Sequence, residues 1–382
     1  MKILLASDCY TYQPGGVSRV VISLARGFRA RGHDVKVLAP YPGLKSRKDG
    51  DDYYIGSLPA FYYPGQRIAF RLHDPMLMEI SEWKPDIIHL HTEGGVAPMV
   101  DRIRRGDGTS IPVIMTVHTD YAHFIFGRYR KTFPARLLSR IIGTFMYRRA
   151  DILVGPSEKV RSFACLEPFL NRIRVIPNGI DLEKWQKVLP EEEKAALFDQ
   201  YGLKDNGHTM VMVSRISKEK NIQEILRYLP RLLKKQADMQ LLIVGDGPFR
   251  KELEKICEEN RLSAHVRFTG AVPHDQVWRY LAMGDIFVSA STFEVHSIAY
   301  LEAMACGLPM LVRKDDSIIG VIEHGRNGFV YRSEKEFCLS VLRMIKNRQL
   351  LQNMHEASLD IIKNFTEEKC VDRTLALYDQ II

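Results

Sequence analysis

The stretch Asp285-Ile-Phe-Val-Ser-Ala-Ser291-Thr-Phe293-Glu294-Val-His296-Ser297-Ile298-Ala-Tyr-Leu-Glu302-Ala-Met-Ala-Cys-Gly307-Leu-Pro309 decides how this chain is read. It opens with an apolar run that does not alternate, as in a strand covered on both faces. Residues 291–297 are polar enough for a loop. From Ile298 the spacing turns helical, and Gly307 followed by Pro309 stops the helix. Strand, loop and helix in this order are the building unit of a parallel sheet. Glu294 then stands on the loop, and Glu302, eight positions on, stands inside the helix. The first amides of that helix, near Ser297 and Ile298, have no intrahelical acceptor and can hold an anion. Carboxylates on either side of the anion can accept hydrogen bonds from hydroxyl groups. A phosphate flanked by hydroxyl-bearing rings is the outline of a nucleotide sugar.

The same alternation runs outward in both directions. Strands are expected at Lys2–Ser7, Val35–Ala39, Ile87–His91, Val113–His118 and Ile152–Gly155. They are expected again at Met210–Ser214, Leu241–Gly245, Val266–Thr269, Ile286–Ser289 and Met310–Val312. Helical spacing puts Val17, Val20, Val21, Leu24 and Phe28 on one face of Val17–Arg31, and it recurs near 222–236, 249–260, 274–283 and 297–306. The pattern is α/β throughout, with two doubly wound, mainly parallel domains. Their expected limits are 1–185 and 186–365, with the Glu- and Lys-rich Leu182–Lys194 as linker and a helical tail. In open parallel sheets ligands bind beyond the carboxyl ends of the strands, and each motif quoted below follows a strand.

Composition narrows the class. Of 382 residues, 46% are hydrophobic and 26% charged, as in a globular protein with room for two cores. Six scattered cysteines with no Cys-x-x-Cys argue against structural zinc and a disulfide framework, and fit a reducing cytoplasm. The apolar start, interrupted by Asp8, is too short for a signal peptide and reads as a first buried strand. No apolar run approaches the roughly 18 to 20 residues of a spanning helix, so membrane contact is expected to be peripheral. The net charge of +8 is uneven. Residues 1–185 carry 27 Lys/Arg against 18 Asp/Glu, or +9, and the remainder 27 against 28, or −1. One half is thus expected to meet an anionic surface.

Six motifs stand in order along the chain: Gly15-Gly16-Val17, Ile176-Pro-Asn178-Gly-Ile-Asp181, Arg215-Ile-Ser-Lys218-Glu219-Lys220, Val244-Gly-Asp246-Gly-Pro, Phe268-Thr-Gly-Ala-Val-Pro273 and Glu294-x7-Glu302 with its Ala-Met-Ala-x-Gly-x-Pro extension. Together they resemble family 4 of the retaining, nucleotide-sugar-dependent glycosyltransferases. The resemblance implies a GT-B fold, in which two Rossmann-like domains face each other across a cleft. The first domain would take the acceptor and the second the donor, while the last helix, 366–382, crosses back onto the first. Arg215 and Lys220 match positions that hold the donor pyrophosphate, where cations stabilise charge developing on the leaving group. Glu302 matches the partner of the ribose hydroxyls, and Glu294 the partner of the donor-sugar hydroxyls. Ser297 stands where the family often has Gly, with His296 before it and Ile298 after, at the expected phosphate amides. Ser214 and Asn221 replace glycines beside the basic loop. Gly15 and Gly16 let backbone approach a phosphate or sugar, in a spacing that is not the dinucleotide fingerprint Gly-x-Gly-x-x-Gly.

His118, at a strand end, matches a residue near the sugar C6 hydroxyl or the acceptor. His89, His91 and Glu93 alternate on one strand and read as a cleft wall instead of a metal cluster. Asp49-Gly-Asp51 reads as a charged loop with no strand before it. Residues 121–150 hold Arg128, Arg130, Lys131, Arg136, Arg140, Arg148 and Arg149 with no acid among them. Phe124, Ile125, Phe126 and further apolar residues are interleaved, so the segment reads as a basic interfacial helix. Tyr53-Tyr54, Phe61-Tyr62-Tyr63 and Phe70-Arg71 add loose aromatics. Nucleic acid is not expected as a partner, because none of its recognition motifs accompanies the charge.

The expected activity is transfer of a hexose from a UDP-sugar, UDP-glucose first, to a membrane lipid, diacylglycerol first, with retention at the anomeric carbon. The runs Leu311-Val-Arg313-Lys314-Asp315-Asp316 and Gly325-Arg-Asn327-Gly328 look most like those of bacterial 1,2-diacylglycerol glucosyltransferases. No carboxylate is placed as a sugar nucleophile, so a front-face route assisted by the leaving phosphate is expected, without metal or other cofactor. The expected place is the cytoplasm, on the inner face of the cell membrane. The alternatives are a soluble, polyprenyl or phosphatidylinositol-type acceptor, or a non-catalytic nucleotide-sugar-binding protein. The intact set Arg215, Lys220, Glu294 and Glu302 argues against the last.

Overall fold

A computed structural model describes residues 1–13, 15–60, 67–105, 111–127 and 132–382. Contacts divide the chain into two compact units, Met1–Gly179 with Glu367–Ile382, and Ile180–Thr366. The stretch expected as a linker belongs to the second unit. Leu182–Trp185 is a short helix there, and Trp185 and Leu189 are buried in its core, because two large apolar side chains outweigh the polar composition around them.

In the first unit the strands are β1 (Lys2–Ala6), β2 (Asp34–Tyr41), β3 (Arg47–Asp49), β4 (Asp52–Pro59), β5 (Arg67–Ala69), β6 (Ile87–Leu90), β7 (Val113–Thr116), β8 (Ile152–Gly155) and β9 (Ile173–Val175). They form one sheet in the order β3-β4-β2-β1-β6-β7-β8-β9, with β5 on β4. Every neighbour pairs in parallel except β3 and β5, which run antiparallel to β4. The antiparallel pieces depart from expectation, and for β3 the cause is Asp49-Gly50-Asp51. It is the tight turn of a β3–β4 hairpin, with Gly50 at φ +56°, a conformation glycine adopts without penalty. Tyr53 and Tyr54 are buried on β4 and are not loose surface aromatics. Phe61, Tyr62 and Tyr63 lie outside the described residues. Helices are α1 (Gly16–Ala30), α2 (Pro75–Trp83), α3 (Ala97–Arg105), α4 (Tyr121–Phe126) and α5 (Phe133–Tyr147). On α1 the buried side is Ser18, Val20, Val21, Leu24, Ala25 and Phe28, close to the expected stripe.

The second unit has β10 (His208–Val213), β11 (Met239–Val244), β12 (Val266–Phe268), β13 (Ile286–Ser289), β14 (Met310–Arg313) and β15 (Gly328–Tyr331), all parallel, in the order β12-β11-β10-β13-β14-β15. Its helices are α6 (Leu182–Trp185), α7 (Glu191–Tyr201), α8 (Ile222–Leu233), α9 (Arg250–Glu259), α10 (Val277–Leu281), α11 (Ile298–Ala305), α12 (Glu334–Ile345) and α13 (Arg348–Ile361). Successive side chains feed opposite faces. Met210 and Met212 of β10 join the core under α8, α9 and α12, whereas Val211 joins the one under α10 and α11. Burial on both faces is why these strands read as unbroken apolar runs. Gly307, at φ +77°, ends α11 in the left-handed conformation expected of its C-terminal Gly.

The last helix, α14 (Glu367–Tyr378), belongs to the first unit and packs on α1. Gly27 permits this, since a Cβ there would run into Val371. Phe28 and Tyr378 rings meet at 5.5 Å, and Arg31 pairs with Asp372 at 2.6 Å.

Candidate active site

Strand order locates the site in the second unit. From β10 the chain moves to β11 and β12 on one side, then returns to β13 on the other. Beyond the carboxyl ends of β10 and β13 the outgoing loops diverge and leave a crevice. The loop after β10 carries Arg215, exposed, and the turn Lys218–Lys220. The loop after β13 carries Glu294. Lys220 Nζ donates to Glu294 Oε1 at 2.6 Å, with the two side chains largely screened from solvent.

Local chemistry shapes both loops. Asn221, where a glycine was anticipated, adopts φ +55° and so fills that glycine's conformational role, which Asn tolerates. Its amide is held by Glu224 and the Ala290 carbonyl, tying the β10 loop to the end of β13. Ser297 occupies the N-cap of α11, but its side chain caps no amide. That leaves the first-turn N–H groups, half-buried at Ile298 and Ala299, directed past it. His296 is buried beside the Phe365 ring at 5.7 Å, and burial lowers its pKa to about 4. It enters the site as a neutral wall. Glu302 is buried on α11, and His274 Nε2 donates to its Oε1 at 2.7 Å. The crevice thus offers a lysine, an arginine and open helix amides between two carboxylates, a set suited to a diphosphate carried between hydroxylated rings.

A family model described as "Glycosyl transferases group 1" matches residues 193–360, and one described as "Glycosyltransferase Family 4" matches 14–184. The chain belongs to family 4 of the glycosyltransferases. It is a nucleotide-sugar-dependent hexosyltransferase of GT-B fold. Among curated relatives, the alpha-monoglucosyldiacylglycerol synthase of Acholeplasma laidlawii is 26% identical over 100% of this chain and 98% of its own. The enzyme of that name from Streptococcus pneumoniae is 29% identical over 90% and 78%. The solved structure of HepE from Anabaena in complex with UDP-glucose superposes with a TM-score of 0.77 at 20% identity, covering all of both chains.

In the transferase's first unit the strand order reverses at β1, whose neighbours are β2 and β6. Gly15 and Gly16 follow β1. Gly15 has an extended φ of 175°, and a Cβ at either position would meet nothing within 4 Å. Neither backbone conformation nor packing demands glycine here, which favours close approach of a ligand as the reason. The Gly15 amide itself is turned toward Ser18 Oγ at 2.8 Å.

At the ends of β6 and β7 stand three imidazoles. His89 is bonded through both nitrogens, to Tyr378 at 2.6 Å and Thr116 at 2.7 Å. Its ring stacks on His91 at 4.1 Å, and His91 Nδ1 lies 3.2 Å from His118 Nε2. Burial pushes His89 to about 3, His118 to about 4, and His91 down as well. All three are neutral at physiological pH, so His118 can exchange hydrogen bonds with a sugar or acceptor but brings no charge. Glu93 receives bonds from Tyr121 at 2.7 Å and Tyr147 at 3.1 Å, and burial raises its carboxyl to about 7. Among the described residues no group of three or more His, Cys, Asp or Glu side chains is arranged to hold a metal ion.

Helix α5 departs from an ordinary core helix. Its small residues Ala135, Ser139 and Gly143 face inward together with Tyr147, Gly143 against the Cys165 carbonyl, while most of its large apolar residues face out. Phe133 is 79% exposed, Ile141 59% and Phe145 63%, with Leu137, Leu138 and, on α4, Ile125 also exposed. The expected basic character is reduced by acids from elsewhere. Arg136 and Arg140 both pair with Glu167, and Arg149 pairs with Asp101. Arg128, Arg130 and Lys131 lie outside the described residues, as does the side chain of Phe124; Phe126 is half-buried. Among the described residues no helix is long and apolar enough to cross a membrane. Sequence reasoning placed Glu93 in a cleft wall but did not foresee its bonds to Tyr121 and Tyr147, and it did not single out His274. Their signal was position alone, in the loops that follow β6 and β12 at the carboxyl edge.

Proposed function

We propose that this transferase moves glucose from UDP-glucose to diacylglycerol at an anionic cytoplasmic membrane surface, with retention and without a divalent metal. The outward apolar face of α5 is the observation that carries the lipid acceptor. A water-soluble acceptor would give no reason to hold Phe133, Leu137, Ile141 and Phe145 in solvent. Two relatives that span most or all of the chain are named for glucosyl transfer to diacylglycerol, which supports the same reading.

On this reading Arg215, Lys220 and the amides at Ile298 hold the diphosphate and stabilise the charge it gains as the glycosidic bond breaks. Glu302 accepts the ribose hydroxyls and Glu294 the hexose hydroxyls, while His118 hydrogen-bonds the sugar or the acceptor. Gly15 and Gly16 leave room for the donor to approach. The acceptor hydroxyl attacks from the face the diphosphate leaves, and its proton passes to a departing phosphate oxygen. Phe124, Ile125, Phe126 and the α5 face enter the membrane, where Arg128, Arg130 and Lys131 meet anionic headgroups.

The test is a donor screen over UDP-, GDP- and ADP-hexoses against diacylglycerol in vesicles and against water-soluble alcohols, with excess chelator in a parallel series. UDP-glucose with vesicular diacylglycerol should be preferred, the product should be the α-anomer by NMR, and chelator should leave the rate unchanged. Equal rates on a soluble acceptor would end the lipid reading, and a β product or strict metal dependence would end the mechanism.

A further inference from the structure

We infer that His274 is a positioning residue for Glu302 and thereby sets the enzyme's preference for ribose over deoxyribose in its nucleotide donor, an inference that rests on the donor reading above. Glu302 stands on α11 among Tyr300, Leu301, Ala303, Met304 and Ala305, all buried, and its own side chain is 2% exposed. An ionised carboxylate in such surroundings is costly unless a donor compensates it. His274 Nε2 at 2.7 Å from Oε1 is such a donor.

The imidazole is itself held in place. It opens the short turn His274–Gln276 directly after Pro273, whose φ is −53°. The edge of Trp185 meets its ring at 5.2 Å and 62°. Trp185 is buried, and its carbonyl accepts from Cys306 Sγ at 3.5 Å, at the end of the helix that carries Glu302. Helix α6, the turn after β12 and helix α11 therefore close a loop of contacts around one carboxylate. The His274 side chain is 43% exposed, so the pair spans from the core to the surface at the carboxyl edge of the sheet.

A carboxylate that is to accept two vicinal hydroxyls must present one fixed orientation, since a bidentate contact tolerates little rotation. His274, through its bond to Oε1, supplies that orientation. Removing the imidazole should leave Glu302 in place but less firmly oriented, and the loss should fall on the ribose hydroxyls alone.

Calorimetry with UDP and 2′,3′-dideoxy-UDP on the full chain tests this. His274→Ala should weaken UDP about tenfold, the scale of a charge-assisted hydrogen bond, and leave dideoxy-UDP unchanged. His274→Gln, whose amide nitrogen can reach the place of Nε2, should restore most of the affinity. Glu302→Ala should produce the same selective loss, with no further loss in the double variant, because the two residues act as one unit. In turnover, His274→Ala should raise the donor KM more than it lowers kcat. A His274→Ala variant that loses both nucleotides equally, or binds UDP normally while Glu302→Ala does not, overturns the inference. Should Glu302→Ala itself leave UDP affinity intact, the donor reading falls, and the inference with it.

Discussion

Lys220 and Glu294 hold each other at 2.6 Å, partly screened from water, so neither can be changed without unbalancing the other. If Lys220 stabilises the leaving diphosphate, Lys220→Ala should lower kcat about a hundredfold, the usual effect of removing one preorganised electrostatic group. It should change UDP affinity far less. Arg215→Ala should act in the same direction, while Glu302→Ala should weaken UDP by roughly tenfold or more. Steady-state kinetics beside calorimetry separates the two patterns. A Lys220→Ala enzyme with unchanged kcat would remove the lysine from the mechanism.

Helix α5 is built inside out for a soluble helix, and that makes its two faces experimentally separable. Fully burying a Phe or Ile side chain contributes roughly 1.5 to 3 kcal/mol, so three or four such residues outweigh the ~1 kcal/mol that each basic residue adds near an anionic surface. With Arg136 and Arg140 already engaged by Glu167, membrane attachment should be mostly apolar and should survive salt. Changing Phe133, Ile141 and Phe145 together to Ser should abolish vesicle flotation and leave the thermal midpoint within about 2 °C, because these side chains make little of the core. Glu167→Gln should add a salt-sensitive component by releasing two guanidinium groups. On the opposite face Gly143→Val should destabilise by several kcal/mol, since its Cβ would collide with the Cys165 backbone. Vesicle binding lost from the triple variant only in parallel with unfolding would refute the division of faces.

Across the molecule, burial keeps His89, His91 and His118 neutral in the first unit and His296 neutral in the second. Their folded pKa values lie below the unfolded value near 6.5, so protons bind the unfolded chain first and stability falls as pH drops from 6.5 toward 4. Each group costs up to about 1.4 kcal/mol per pH unit in that window. Glu93 acts the other way, because a carboxyl raised to about 7 takes up its proton in the fold between pH 7 and 4.5. His33 is lowered and Asp8 raised as well, so in the first unit lowered imidazoles outnumber raised carboxyls and the net effect is a loss of stability below pH 6.5. Thermal midpoints should be level from pH 8 to 7 and then fall steeply to pH 5. A flat profile through pH 5 would show that these rings are charged in the fold.

The alternation of apolar runs and helical stripes, the turn-ending Gly307 and the spacing from Glu294 to Glu302 were legible because each depends on neighbours within one strand or one helix turn. They determined two doubly wound domains and pointed to most of the residues proposed for the donor. The β3–β4 hairpin was not legible, since three exposed residues form a strand only by pairing with β4. Nor was the true character of 121–150, whose arginines find Glu167 and Asp101 far along the chain. Sequence showed apolar residues interleaved with basic ones along 121–150, but not which side of α5 faces in; packing of Gly143 on the Cys165 segment decided that. The meeting of Lys220 with Glu294 and of His274 with Glu302 likewise follows from strand order in the sheet. Local sequence specifies the elements, whereas burial, charge pairing and the juxtaposition of loops are properties of the packed fold, and only the tertiary structure could settle them.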